Sequence, residues 1–111
     1  MEHNRIALIA SLDTKLQETL YAKHEIESWG GRGIIIDIST KTLMDAGAAV
    51  GPADILARYG MTWEEFGPLD KAQSIETMSN ALTAVMPALY AEGLFDAVIS
   101  IGGGQNARMA A

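Results

Sequence analysis

Residues 6–39, IALIASLDTKLQETLYAKHEIESWGGRGIIIDIS, decide the fold of this chain. They open with the apolar run Ile6–Ala10 and close with a second one, Ile34–Ile38, and both runs are continuous, as in strands covered on both faces. Between them the sequence predicts a helix that Gly30 and Gly31 can end in a left-handed conformation. One face of this helix is predicted to carry Thr19, Ala22, Ile26 and Trp29. Strand, helix and strand in about thirty-five residues predict a βαβ unit.

The remaining elements extend this unit into a layered domain. Residues 41–69 predict a loop with short helices, and a longer helix is predicted to begin at Asp70, with a kink or a break at Pro87. A third apolar run, Ala97–Ile101, predicts another buried strand. If that strand returns past the first one, the sheet order is 2-1-3. We therefore predict an α/β fold, a Rossmann-like three-layer arrangement with a parallel sheet of at least three strands, which spans residues 1–111 as a single domain.

The amino-acid composition limits the kinds of partner that the chain is expected to bind. The 111 residues carry a formal net charge of −6, which argues against nucleic acid or an anionic membrane surface, because both favour clustered Lys and Arg. No apolar segment approaches the length of a membrane span. The absence of cysteine excludes disulfides and thiolate chemistry. These observations predict a cytoplasmic protein with a small-molecule ligand.

Three consecutive glycines follow the third predicted strand. Gly102, Gly103 and Gly104 let the backbone turn sharply, so that its N–H groups can face an anion such as a phosphate. Gln105 and Asn106 complete this loop. The run lacks the Lys-Ser/Thr ending of a P-loop and the spacing of the dinucleotide fingerprint. The residues alone therefore leave two interpretations open, a phosphate-binding loop and a tight turn without a ligand.

A second polar loop, Ser11 to Lys15, follows the first strand. In a 2-1-3 sheet this loop and the loop 102–106 flank one crevice. Lys15 could neutralise a phosphate, and Asp13 beside it could hold Mg²⁺. Alternatively, the segment is only a helix start, with Thr14 and Gln17 in a capping box.

The second strand ends in an acidic residue. At this position Asp37 could accept hydrogen bonds from a ribose. It could equally be an ordinary polar residue at a strand end. The sequence leaves these two interpretations open.

These motifs, in their order along the chain, resemble the Tm-one-like ATP-binding domain family. The matching segments are Asp13-Thr14-Lys15, Asp37, the Leu-Tyr-x-x-Gly pattern at 89–93, and Gly102-Gly103. The glycine loop departs from the family pattern at Gln105, Asn106 and Ala107. The resemblance implies that the chain is the N-terminal part of a longer protein. It also implies that ATP is bound with its phosphates between loops 11–15 and 102–106.

The function predicted from these observations is nucleotide binding, with ATP and Mg²⁺ as cofactors and Asp13 as the metal ligand. The predicted binding residues are Ser11, Asp13, Thr14, Lys15, Asp37, Gly102, Gly103, Gly104, Gln105 and Asn106. One alternative is an anion-binding part of a metabolic enzyme whose catalytic residues lie in another lobe. A second alternative is a non-enzymatic assembly module. We expect a homo-oligomer, and the sequence leaves open whether any reaction is catalysed.

Overall fold

The computed structural model describes residues 4–41 and 47–101, which form a parallel three-stranded sheet between helices. In chain order the elements are β1 (Arg5–Ala10), α1 (Leu12–Ser28), β2 (Arg32–Asp37), α2 (Pro52–Tyr59), α3 (Trp63–Phe66), α4 (Lys71–Ala91) and β3 (Ala97–Ser100). The strand order is β2-β1-β3, and β1 pairs in parallel with both neighbours. The predicted α/β class, parallel sheet and 2-1-3 order are therefore confirmed.

Alternate residues of β1 point into two separate cores. Leu8 packs with Leu12 and Ile26 of α1 on one face of the sheet. Ile9 packs on the other face in a cluster to which α2, α3 and α4 all contribute, including Met78 of α4. The crossover from β1 to β2 therefore lies on the opposite face from the crossover between β2 and β3, which makes three layers.

The third strand is an exposed edge, and the prediction that it is buried is wrong. All four residues Ala97–Ser100 are exposed, with Val98 at 43% and Ile99 at 45%. Because Val98 is in register with Ala7 and Ile99 with Leu8, these two side chains lie on opposite faces. The buried clusters on both faces draw on β1 and β2 but on no residue of β3. The helices thus leave β3 uncovered.

The opposite edge of the sheet is covered. Val50 forms a parallel bridge with Ile36, and its carbonyl accepts a hydrogen bond of 2.8 Å from the Asp37 amide. The Ala49 amide donates to the Ile35 carbonyl at 2.9 Å. Within the described residues, the two edges of the sheet therefore differ in their protection.

The segment predicted to hold short helices does hold them. Helix α2 begins with Pro52, and it ends at Gly60, which has φ +100°. Helix α3 is capped by Thr62, whose side chain accepts a hydrogen bond from the Glu65 amide while the Glu65 carboxylate accepts from the Thr62 amide. This reciprocal pair is a capping box.

Helix α4 is one continuous helix across Pro87, so of the predicted kink or break the break is wrong, and the kink stays a prediction. Asp70 caps its first turn by accepting a hydrogen bond of 2.8 Å from the Gln73 amide. Pro87 removes one amide donor and leaves the carbonyl of Thr83 without its helical partner. Both residues lie on the exposed face of α4, where water can bond to that carbonyl. The helix therefore tolerates the proline.

Helix α1 ends in the predicted left-handed glycine. Gly30 has φ +92° and donates to the Glu27 carbonyl, and Gly31 donates to the Ile26 carbonyl, which together form a Schellman motif. Trp29 lies at this turn with 74% of its surface exposed. Its predicted place on the buried face of α1 is therefore wrong. The helix ends at Ser28, and the chain leaves the packed face at the turn.

Candidate ligand site at the carboxyl edge of the sheet

The carboxyl ends of the three strands meet at one edge, with β1 in the centre. The Ile38 amide donates to the Ala10 carbonyl at 2.9 Å, and the Ile101 amide donates to the Ile9 carbonyl at 2.9 Å. The chain therefore leaves β2 and β3 on either side of the end of β1. Since the two crossovers lie on opposite faces, the gap between β1 and β3 is a topological switch point, where open parallel sheets bind their ligands.

Helix α1 starts earlier than predicted, at Leu12, with Ser11 as its N-cap. The Thr14 hydroxyl donates to the Ser11 carbonyl at 3.3 Å instead of accepting a capping hydrogen bond. The predicted capping box of Thr14 and Gln17 is therefore wrong. At Lys15 the backbone leaves helical geometry (φ −125°, ψ 28°), so a short first turn precedes the main helix.

The first turn of α1 is held by the end of β2. The Leu12 amide donates to Asp37 Oδ1 at 3.1 Å, and the Asp13 amide donates to Ser39 Oγ at 3.1 Å. The Thr14 amide donates to the Ser11 carbonyl at 3.1 Å. The side chains of Asp37 and Ser39 therefore replace a local N-cap. The amides of this first turn already have protein partners.

Asp37 lies inside the protein. Its relative exposure is 0%, and its Oδ1 accepts hydrogen bonds from the Leu12 amide, the Ser39 amide at 3.0 Å and the Ser39 hydroxyl at 2.6 Å. Its Oδ2 is buried without a hydrogen-bond partner in the part of the chain that the structure describes. These contacts agree with the structural interpretation of Asp37, whereas a hydrogen bond to a ribose stays a prediction.

Ser39 is a structural residue of this edge that the sequence analysis did not single out. It is fully buried and connects three segments, because its hydroxyl donates to Asp37 and accepts from the Asp13 amide. The Asp13 carboxylate in turn accepts from the Lys41 amide at 3.2 Å. The Asp-Ile-Ser spacing after an apolar run is the signal that could have identified it, since Asp and Ser often bond to nearby backbone.

The charged side chains of loop 11–15 lie at the surface of the protein. Lys15 Nζ is 3.8 Å from Glu18 Oε2, and the Lys15 side chain is 39% exposed. Asp13 is half-buried, and Thr14 is exposed. The structure thus brings Ser11, Asp13, Thr14, Lys15 and Asp37 to one edge. The predicted residues Gly102, Gly103, Gly104, Gln105 and Asn106 lie outside the described residues.

Among the described residues, the carboxyl groups with clearly displaced pKa values lie away from this edge. The hydrogen bond from Arg58 lowers the pKa of Glu92, and the hydrogen bond from Lys23 lowers the pKa of Glu27. The distances are 2.7 Å in both pairs. Glu92 follows α4 and Glu27 lies near the end of α1, so both pairs lie towards the amino ends of the strands. They are exposed ion pairs, not parts of the candidate site.

Residues 4–41 and 47–101 contain no group of three or more His, Cys, Asp or Glu side chains that could hold a metal ion. No helix in these ranges is long and apolar enough to cross a bilayer. An open groove of about 490 Å³ lies between α2 and α3, with Ala53, Ala57 and Trp63 in its lining. Of the predicted site residues that the structure describes, none lines this groove.

The fold and this edge define a class of protein, an α/β domain with a parallel sheet and a switch point between β1 and β3. The chain belongs to the uncharacterised protein family UPF0261, whose N-terminal domain matches residues 4–111. The resemblance to the Tm-one-like ATP-binding domain family is therefore wrong, since the matching family is an uncharacterised one and nothing links it to the Tm-one-like family. None of the curated proteins compared with the chain matches it.

Proposed function

We propose that this domain binds a small phosphate-bearing ligand, with ATP as the specific candidate, at the carboxyl edge between β1 and β3. One observation carries the proposal. The Ile101 amide is hydrogen bonded to the Ile9 carbonyl, so Ile101, which precedes the glycine run in the sequence, lies beside the end of β1. Glycine backbone amides at a switch point are suited to an anion.

Lys15 supports the proposal from the other side of the gap. Its ammonium group lies at the start of α1 and, among the described residues, forms an exposed ion pair of 3.8 Å with Glu18. Such a surface pair contributes little free energy, so exchanging Glu18 for a phosphate costs little. We assign Lys15 to the terminal phosphates of the ligand.

Asp13 is the candidate for the magnesium ion of the proposed ATP complex. One of its carboxylate oxygens accepts the Lys41 amide, which fixes the side chain at the edge. Mg²⁺ commonly uses one or two protein carboxylates together with phosphate oxygens. A single carboxylate therefore fits a metal that arrives with the nucleotide. We also propose a cytoplasmic location for the protein. We propose binding of ATP without its hydrolysis.

The test is calorimetric titration with ATP and AMP in the presence of Mg²⁺. Lys15→Ala should weaken ATP about tenfold, the equivalent of one charged hydrogen bond, and should weaken AMP less. Lys23→Ala is the matched control, because Lys23 lies on the same helix but pairs with Glu27 away from the edge. Absence of ATP binding to the unmodified chain at millimolar concentration rejects the proposed function. Equal losses for ATP and AMP would remove the role of Lys15.

A second candidate function, assembly with another copy of the chain, is favoured by the exposed edge of β3. The strand carries no charge, proline or bulge of the kind that protects natural edges. Because the Ile101 amide donates to the Ile9 carbonyl in the register of the sheet, alternation directs the backbone groups of Ala97 and Ile99 towards β1 and those of Val98 outward. A twofold axis at Val98 would pair Val98 of one copy with Val98 of the other in an antiparallel ladder.

Light scattering with size-exclusion chromatography tests this candidate. Ile99→Lys places a charge on the edge and should convert a dimer into a monomer. Trp29→Lys is the matched control, because Trp29 is an exposed apolar residue at the end of α1, remote from β3 in the sheet order. A wild-type monomer at high protein concentration, or equal dissociation by both variants, would count against assembly through β3.

A further inference from the structure

The carboxylate of Asp37 is buried without an opposite charge. It forms no ion pair with a Lys or Arg of the described residues, and its three hydrogen bonds all reach Oδ1. Oδ2 is enclosed and has no donor among these residues. A buried carboxylate needs compensation, because transfer from water disfavours its charged form. Ser39 supplies two donors, its hydroxyl at 2.6 Å and its amide at 3.0 Å, and the start of α1 supplies a third, the Leu12 amide at 3.1 Å.

The free amides at a helix N-terminus attract anions. In this chain the Asp37 carboxylate bonds to the short first turn of α1, which precedes the non-helical backbone at Lys15. It bonds to the amide of the first helical residue, and Ser39, which it holds, bonds to the second. The arrangement matches that of a bound anion, except that the anion belongs to the chain.

We propose that Asp37 is a built-in anion that occupies the anion-binding position of α1 and keeps a ligand phosphate away from it. The phosphate is then directed to Lys15 and to the β3 side of the gap. The first half of this inference, that Asp37 occupies the anion-binding position, concerns α1 alone. The second half, that a ligand phosphate is directed elsewhere, rests on the proposed phosphate-binding function. Asp37 is in this view a positioning residue, and this role is an alternative to the predicted hydrogen bond between Asp37 and a ribose.

Removal of the carboxylate tests the first half. Asp37→Ala leaves a space of about the size of the lost carboxylate beside the Leu12 amide, so a small carboxylate should enter and replace it. The melting temperature of this variant should be lower than that of the wild type. Sodium acetate should raise it by about 4 °C or more in a saturable manner, compared with sodium chloride at equal ionic strength. The wild-type protein should show no acetate-specific rise.

Asp70→Ala provides the matched control. Asp70 also caps a helix, but it is exposed, so water can replace its carboxylate and acetate should have no specific effect. No acetate-specific rise in Asp37→Ala, or an equal rise in Asp70→Ala, overturns the inference. If Asp37→Ala does not fold, the comparison is made on refolding yield with acetate and with chloride. Recovery by acetate alone supports the inference, and its absence contradicts it.

The isosteric variant Asp37→Asn tests the second half. It retains an acceptor for the Leu12 amide and fills the space, so acetate should have no specific effect on it. The variant separates the two roles of Asp37: a hydrogen bond to the ribose predicts a loss of ATP affinity, whereas the positioning role predicts an affinity within twofold of the wild type. A tenfold loss of affinity would contradict the assignment. If the wild type itself does not bind ATP, the proposed function fails, whereas rescue of Asp37→Ala by acetate still decides the first half.

Discussion

The stability of the carboxyl edge depends on one buried hydroxyl, that of Ser39. Ser39→Ala removes the 2.6 Å hydrogen bond to Asp37 Oδ1 and the acceptor of the Asp13 amide. A hydrogen bond to a charged group contributes about 1.5–3 kcal/mol, and a partly buried amide without a partner adds to the loss. We expect the free energy of unfolding to fall by about 2–3 kcal/mol.

Urea unfolding followed by circular dichroism measures this change. With a slope of about 2 kcal/mol per molar, the unfolding midpoint should fall by about 1 M at an unchanged slope. Ser28→Ala is the matched control, because the Ser28 hydroxyl also donates a 2.6 Å hydrogen bond but lies exposed on α1. This variant should stay within about 0.5 kcal/mol of the wild type. Equal midpoints for the two variants would refute the view that Ser39 joins α1 to β2.

Two further predictions concern the backbone at a turn and an ion pair. Gly30→Ala should cost about 1–2 kcal/mol from backbone conformation alone, because φ is +92° and an added Cβ meets no atom within 4 Å. Gly67→Ala, at φ −53°, is its control in thermal unfolding and should cost little. Arg58 holds the pKa of Glu92 below its ordinary value of 4.5, so this pair stabilises the fold above that pH and the contribution disappears as the pH falls through the lowered value. The free energy of unfolding of Glu92→Gln should therefore be lower than that of the wild type above pH 4.5, and the two should converge at lower pH. Salt at 1 M should reduce the difference between them.

The topology could be predicted from the sequence because it depends on strong local patterns. Continuous apolar runs indicated β1 and β2, and glycine at position 30 indicated the end of α1. The same reasoning failed for β3, because an apolar run does not show whether a helix covers it. It also failed at Pro87, where solvent exposure decides whether a free carbonyl breaks the helix.

The position of loop 11–15 in the fold could be predicted from the sequence, whereas its contacts could not. The order 2-1-3 is a consequence of chain connectivity, so it placed loop 11–15 at the switch point. The partners of Asp37 could not be read from the sequence, because they depend on the contact between the end of β2 and the start of α1. Local capping rules therefore selected Thr14, whereas the structure uses Asp37 and Ser39. Those two side chains act across 25 and 26 positions of the sequence.

The central claim, that a phosphate-bearing ligand binds between β1 and β3, is tested most directly by amide chemical shifts. A titration of the ¹⁵N-labelled protein with ATP and Mg²⁺ would follow each backbone amide separately. The account predicts the largest shifts at Lys15, at Ile101 and in the glycine run after it, with the amides near Arg58 and Glu92 unchanged. Shifts centred on Arg58 and Glu92, or none at millimolar ATP, would contradict it.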